Sequence, residues 1–150
     1  TSFEASDNMD RFAQIIVQTY VGTLDCPALV GRRSGREALE SHRQSGVSDP
    51  RLWSVYAREQ KDVAVLLLTE HPEENAREIV YLGVVPESRG RGYGRALVID
   101  ALHRAKDAGR SSLQLAVDCR NRFARRVYDE LAFEEVASRA AYVRARRAGR

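Results

Sequence analysis

The chain is poor in several things, and each shortage excludes something. It has only two cysteines, Cys26 and Cys119, in 150 residues, and they lack metal-ligand spacing. That excludes a disulfide scaffold and a zinc module; a single bond between the two has nothing in the sequence to support it. The three histidines, His42, His71 and His103, lie in polar or helix-surface surroundings, and no metal is expected. The longest apolar run, Val63 to Leu68, is far too short to span a bilayer. The first residues do not read as a secretory leader. A reduced, cytoplasmic setting without a membrane partner is the expectation. The chain opens at Thr1-Ser2-Phe3 without an initiator Met, so a fragment of a longer protein stays an open reading. Internal repeats and low-complexity segments are also missing.

The remaining composition is ordinary, with 43% apolar and 30% charged residues. One domain over 1–150, long enough for a real core, is expected. The net charge is +3, and arginine dominates it in two clusters, Arg89–Arg95 and Arg139–Arg150. Arg144, Arg146, Arg147 and Arg150 suit an anionic partner such as nucleic acid, but charge runs are usually solvated tails. Nucleic acid is therefore not expected.

What the chain does have is a distinctive run from Glu78 to Ala105. Ile79, Val80, Tyr81, Leu82, Val84 and Val85 are nearly continuous apolar residues, as in a strand buried on both faces. Pro86 closes it. A basic glycine-rich turn follows: Arg89, Gly90, Arg91, Gly92, Tyr93, Gly94, Arg95. Apolar spacing from Ala96 to Ala105 then marks a helix, with Gly109 as its stop. The first amides of a helix lack internal partners and sit at its positive end, and glycines let a phosphate approach the backbone. The turn is thus expected to hold a pyrophosphate. Gly94-Arg95-Ala96 lacks the Lys and hydroxyl of a Walker loop, and Gly90, Gly92 and Gly94 have the wrong spacing for a dinucleotide fingerprint.

Elsewhere, Ser6 or Asp7 is placed to cap a helix to about Val21, and Ser34-Gly35-Arg36-Glu37 fits a capping box for a helix to about Gln44. Trp53–Glu59 and Val63–Glu70 read as a hairpin across Gln60-Lys61-Asp62. Ser111–Val117 alternates as a strand, a helix runs to about Leu131, and Phe133 begins a last strand or strand pair to about Arg146. The fold class is α/β, an α+β arrangement with a central mixed sheet flanked by helices, in the order (β)-α-α-β-β-β-α-β-α-β(-β). The strand–helix–strand crossover implies one parallel pair.

The pattern R-x-x-G-x-G at Arg89, Gly92 and Gly94, directly after V-x-P, resembles the GNAT superfamily of acyl-coenzyme A-dependent N-acyltransferases. The element order resembles that fold too, except that only Thr1 to Ala5 is available for the family's opening strand. The resemblance implies acetyl transfer from acetyl-CoA to a primary amine by direct attack in a ternary complex. It implies that the Arg89–Arg95 turn cradles the coenzyme pyrophosphate, and that the backbone of Leu82, Gly83 and Val84 meets the pantetheine arm and the thioester. The segment from Val117 to Phe133 is similar to N-x-x-A-x-x-x-Y-x-x-x-G-F, with Asn121, Ala124, Tyr128 and Phe133 in step. In the family the Asn bonds the coenzyme arm and the Tyr is general acid to the leaving sulfur. Ala132 stands where the family has Gly, so that turn is expected to differ. One base position of the family is Ala116 here, so that base is absent. The other is Glu78, six residues before Val84, in a run EIVYLGV that resembles the histone-acetylating branch. Beside buried strand residues such a glutamate is expected to be a stronger base, against the plain reading of a solvent-facing strand start.

The acceptor is not readable. Tyr20, Asp25, Arg32, Arg33, Glu37 and Tyr142 fall where its pocket is expected, and their charges do not choose between a small amine and a protein amine. A homodimer stays open. The rival readings are a coenzyme A-binding module without catalysis, or half of a two-domain acyltransferase.

Overall fold

In the computed structural model, the structure describes residues 9–23 and 34–140. They form four helices and one four-stranded sheet of order β1-β2-β3-β4. Helix α1 spans Met9–Tyr20 and buries Phe12, Ile15 and Ile16, which share one helical face. The caps expected at Ser6 or Asp7, and the short opening strand, lie outside the described residues. Helix α2, Gly35–Arg43, starts with the expected capping box: Glu37 N donates to Ser34 Oγ at 3.2 Å, and Ser34 N donates to Glu37 Oε2 at 2.7 Å. Glu37, placed in the acceptor pocket by the sequence reading, is spent on this cap.

Strands β1, Trp53–Arg58, and β2, Lys61–His71, pair antiparallel across a two-residue turn, Glu59-Gln60. The turn falls earlier than expected because both residues take positive φ, 50° and 64°, which matches the twist of a tight hairpin without the usual Asn-Gly signal. Strand β3, Ala76–Val84, lies antiparallel to β2 and parallel to β4, Ser112–Leu115. Helix α3, Tyr93–Asp107, makes the crossover between this parallel pair. Its C-terminus closes with Gly109 N on Lys106 O and Arg110 N on Ala105 O, a Schellman stop.

The sheet has a core on each face. Phe12, Ile15, Ile16, Ala38, Leu39, Trp53, Val55, Val65 and Leu67 pack beneath α1 and α2. Leu66, Leu68, Ile79, Leu97, Val98 and Ala101 pack beneath α3. Leu66, Leu67 and Leu68 are each 0% exposed, so β2 is buried on both sides.

Helix α4, Arg122–Glu130, leans Tyr128, Leu131 and Phe133 onto the α3-side core. The last strand does not form over Phe133–Ala140, which has no regular structure. Phe133 is held by the end of α4, and the residues after it are all exposed, with Val136 at 93%. They have no apolar face to lay on the sheet. The remainder of that segment, with Tyr142 and the Arg144–Arg150 cluster, lies outside the described residues.

Candidate active site

The sheet opens at β3. Its pairing with β4 ends at Ile79↔Leu115, while β3 itself runs on to Val84. At the same level the β2–β3 register skips a residue: Leu67 faces Tyr81 and Leu68 faces Ile79, so Val80 is bulged. A bulge bends its strand and sharpens the twist. Here it also turns both Val80 and Tyr81 toward the α1–α2 face.

Beyond the bulge the ladder alternation assigns each backbone group. Val85 N donates to Val63 O at 2.9 Å, so Gly83, two residues back, also pairs with β2. Leu82 and Val84 therefore direct their backbone groups to the open edge. Arg89 Nε, which donates to Val84 O at 3.1 Å, agrees with that direction. Of the three backbone positions expected at the site, two face the opening. Gly83 serves another purpose: a Cβ there would lie 2.7 Å from Thr19 Cβ and Oγ1. Only glycine lets α1 come this close.

The glycine turn lies at the end of β3. Gly90 and Gly92 have φ of 74° and 82°, and Gly92 is the N-cap of α3 with no side chain closing the helix. A Cβ built on Gly90, Gly92 or Gly94 meets nothing within 4 Å. An uncapped helix start thus fronts open space, with the first amides of α3 pointing into it. Arg91 and Arg95 are exposed beside it. Arg89 points elsewhere: besides Val84 O it donates from Nη2 to Thr19 O at 2.9 Å, strapping the turn to the end of α1. Tyr93 Oη accepts from Arg58 Nη1 at 2.9 Å.

Polar ties hold α3 along its length, so the aim of its N-terminus is fixed by the sheet. Tyr56 Oη donates to Asp100 at 2.6 Å; burial, then that bond, push the phenol up to about 12. Arg104 Nη2 donates to Leu52 O at 3.1 Å, and Arg77 Nη1 donates to Arg104 O at 2.8 Å. Arg77 is itself buried and paired with Glu70.

Asn121 is the N-cap of α4, its Oδ1 accepting from Ala124 N at 3.2 Å. Tyr128 is half-buried against the α3-side core. The turn after α4 keeps the left-handed form despite its alanine: Ala132 has φ 62°. Ala132 N donates to Asp129 O at 3.1 Å and Phe133 N to Tyr128 O at 2.9 Å, a complete Schellman motif. The Tyr128 and Phe133 rings meet edge-on at 5.6 Å, the apolar contact that accompanies such a stop. The alanine bears a backbone cost of roughly 1–2 kcal/mol in place of a changed turn.

Glu78 is half-buried on β3, and its Oε2 lies 2.5 Å from His71 Nε2. This bond raises the imidazole above its ordinary 6.5; burial opposes it, and the charges of Glu78, Glu74 and Glu73 reinforce it. Farther along the same face Tyr81 Oη lies 2.6 Å from Thr19 Oγ1, and its ring meets those of Tyr20 at 5.7 Å and His42 at 5.2 Å. Tyr20 was expected on this side. No local pattern marks Tyr81 or His71 as functional; the β2–β3 register is what sets His71 one strand from Glu78. Asp25, Arg32 and Arg33 lie outside the described residues. Cys119 is an exposed free thiol.

The sequence profile of the Acetyltransferase (GNAT) family matches residues 20–133, which take in the sheet, the glycine turn and α4. The chain belongs to the GNAT acetyltransferase family. The mycothiol acetyltransferase of Rhodococcus jostii is 34% identical over 79 residues, covering 50% of this chain and 26% of that protein. The same-named protein of Beutenbergia cavernae is 35% identical over 91 residues, covering 61% and 31%. The chain thus spans only about a quarter to a third of the length of these curated relatives. Among solved structures, the ribosomal-protein-S18-alanine N-acetyltransferase of Escherichia coli superposes with a TM-score of 0.69 at 17% identity, over 91% of this chain and 77% of that one. An N-acetyltransferase of Thermoplasma acidophilum, solved in complex with coenzyme A, gives 0.66 at 17% identity over 89% of each chain. At such identities the likeness is one of fold. Among the described residues no helix is long and apolar enough to cross a membrane.

Proposed function

We propose that this GNAT chain transfers an acetyl group from acetyl-CoA to a primary amine by direct attack in a ternary complex. The observation that carries the reading is the uncapped start of α3 behind three glycines whose Cβ positions are open, directly beside the unpaired edge of β3. Those residues suit a pyrophosphate and a polar pantetheine arm. The amides from Arg91 to Arg95 would take the phosphates, with Arg91 and Arg95 adding charge. The backbone groups of Leu82 and the N–H of Val84, whose carbonyl already accepts from Arg89, would pair with the arm's amides, as a further strand would. Asn121 keeps its amide group for the same arm while its oxygen caps α4.

Acetyl-CoA supplies the activated acyl group, and the chain's residues manage position and protons. Glu78 is the base that takes the amine's proton, on the α1–α2 face where Tyr20 and Tyr81 stand. Tyr128 Oη is the acid that returns a proton to the departing sulfur. Arg89 holds α1 against the turn, which keeps the acceptor face in register with the coenzyme face.

The acceptor stays at the level of a primary amine, on a small molecule or a protein. A second reading, one half of a larger two-domain acyltransferase, is favoured by the small share of the curated relatives that the chain covers. One experiment serves both. Acetyl-CoA and desulfo-coenzyme A are titrated calorimetrically, and thiol release is then followed over spermidine, glucosamine, an S-blocked cysteine amide and an alanine-terminated peptide. Release with any amine is the expected result. Binding without release on every amine favours a module that needs its other half, and failure to bind overturns both readings.

A further inference from the structure

A carboxylate alone is a poor partner for an ammonium. Its ordinary pKa lies near 4.3, about six units below that of an alkylammonium such as lysine's. A base that works near neutrality needs somewhere better to leave the proton. In this chain Glu78 has such a place. Its Oε2 lies 2.5 Å from His71 Nε2, and the two side chains are only 26% and 20% exposed. The other ring nitrogen, Nδ1, lies 3.8 Å from Glu73 Oε1, whose side chain is 70% exposed. The three groups therefore step from the half-buried face of β3, through the last residue of β2, to solvent.

Building on the reading of Glu78 as base, we propose that His71 is the positioning residue that carries the amine's proton out of the site. Glu78 takes a proton from the ammonium, and once the carboxyl group has turned the same proton passes to Nε2 of neutral His71, which then carries its own proton on Nδ1. The amine is left neutral, Glu78 returns to carboxylate, and the imidazolium is the sole group that has gained a proton. Nδ1, facing Glu73, returns it to water. The groups facing His71 suit this task. The charges of Glu78 on β3 and of Glu73 and Glu74 in the turn between His71 and β3 favour the imidazolium. Gly46, which packs against its Cε1, brings no charge.

The relay makes the ionised Glu78 with neutral His71 the active form, so turnover rises with pH through the imidazole's own titration. The test uses the full chain, acetyl-CoA and whichever amine of the panel turns over fastest. His71→Gln, which keeps a polar contact to Glu78 but cannot titrate, should lower kcat by about 100-fold and remove the imidazole limb from the kcat/KM profile. His71→Ala should be rescued by added imidazole. In the unaltered chain, the kinetic pKa should coincide with that of His71 measured by NMR, a comparison that does not depend on any variant folding. A His71→Gln profile like that of the unaltered chain, beside an impaired Glu78→Gln, overturns the relay and leaves Glu78 as base. Glu78→Gln with full activity overturns both. A kinetic pKa that departs from the NMR value also overturns the relay, as does failure of every panel amine to turn over.

Discussion

Replacing Gly94 by alanine should move stability and coenzyme affinity in opposite directions. Gly94 is the second residue of α3, at a position with no left-handed φ, and a Cβ there meets nothing within 4 Å. For the free protein the change only reduces the freedom of the unfolded chain and improves helix propensity. Glycine within a helix costs roughly 0.5–1 kcal/mol relative to alanine. At 2–4 °C per kcal/mol for a domain of this size, Tm should rise by about 1–4 °C. For the proposed complex, the methyl group would enter the space assigned to the phosphate. Loss of one charge-assisted hydrogen bond costs about 1.5–3 kcal/mol, which is about 10- to 150-fold in Kd. Thermal denaturation and calorimetric titration with acetyl-CoA read the two effects separately. A higher Tm with unchanged Kd would place the phosphates elsewhere. A lower Tm would mean that the position is not open, and the reasoning about the turn would fail.

Other consequences follow from single contacts. Gly83→Ala should destabilise the chain by about 1–3 kcal/mol, because Thr19 stands 2.7 Å from the new Cβ and α1 must shift; a Tm within a degree of the parent would contradict the close packing. Ala132→Gly relieves the left-handed alanine at the end of α4 and should stabilise by about 1 kcal/mol in chemical denaturation, with m unchanged. Tyr128→Phe should lower kcat while leaving Tm and acetyl-CoA binding near those of the parent, and parent-like turnover would remove its hydroxyl from the mechanism. The folded-state pKa of His71 is raised above 6.5. The stability from its contact with Glu78 is therefore fully present below that value and is lost as pH rises through the folded pKa. Tm measured across this window should fall in the parent and stay flatter in Glu78→Gln.

Much of this architecture is legible along the chain because its causes are local. The Ser34–Glu37 capping box, the Gly109 stop and the glycine turn after Pro86 are each written within a few residues, and all appear where their chemistry places them. The hairpin turn is off by a residue or two because Glu59 and Gln60 take positive φ without any Asn or Gly to signal it. The strand expected from Phe133 fails over 133–140 because that residue's apolar contact is with Tyr128, at the helix end, and the residues after it are exposed. The site is legible only in part for a different reason. Arg89 reads as a phosphate ligand by its neighbours, yet its side chain spans 70 positions to Thr19. Glu78 reads as a lone carboxylate until the β2–β3 register brings His71 beside it. Those pairings live in the tertiary structure, and no local pattern announces them.

The proposed acetyl transfer requires the amides at the start of α3 to grip the coenzyme phosphates. The most direct measurement is a ¹H–¹⁵N correlation spectrum of the full chain titrated with acetyl-CoA. Saturable shifts of the amide signals of Gly92, Tyr93, Gly94 and Arg95, with those of Leu82 and Val84 following, are the predicted result. Binding that leaves these six amides unmoved while others shift would contradict the account.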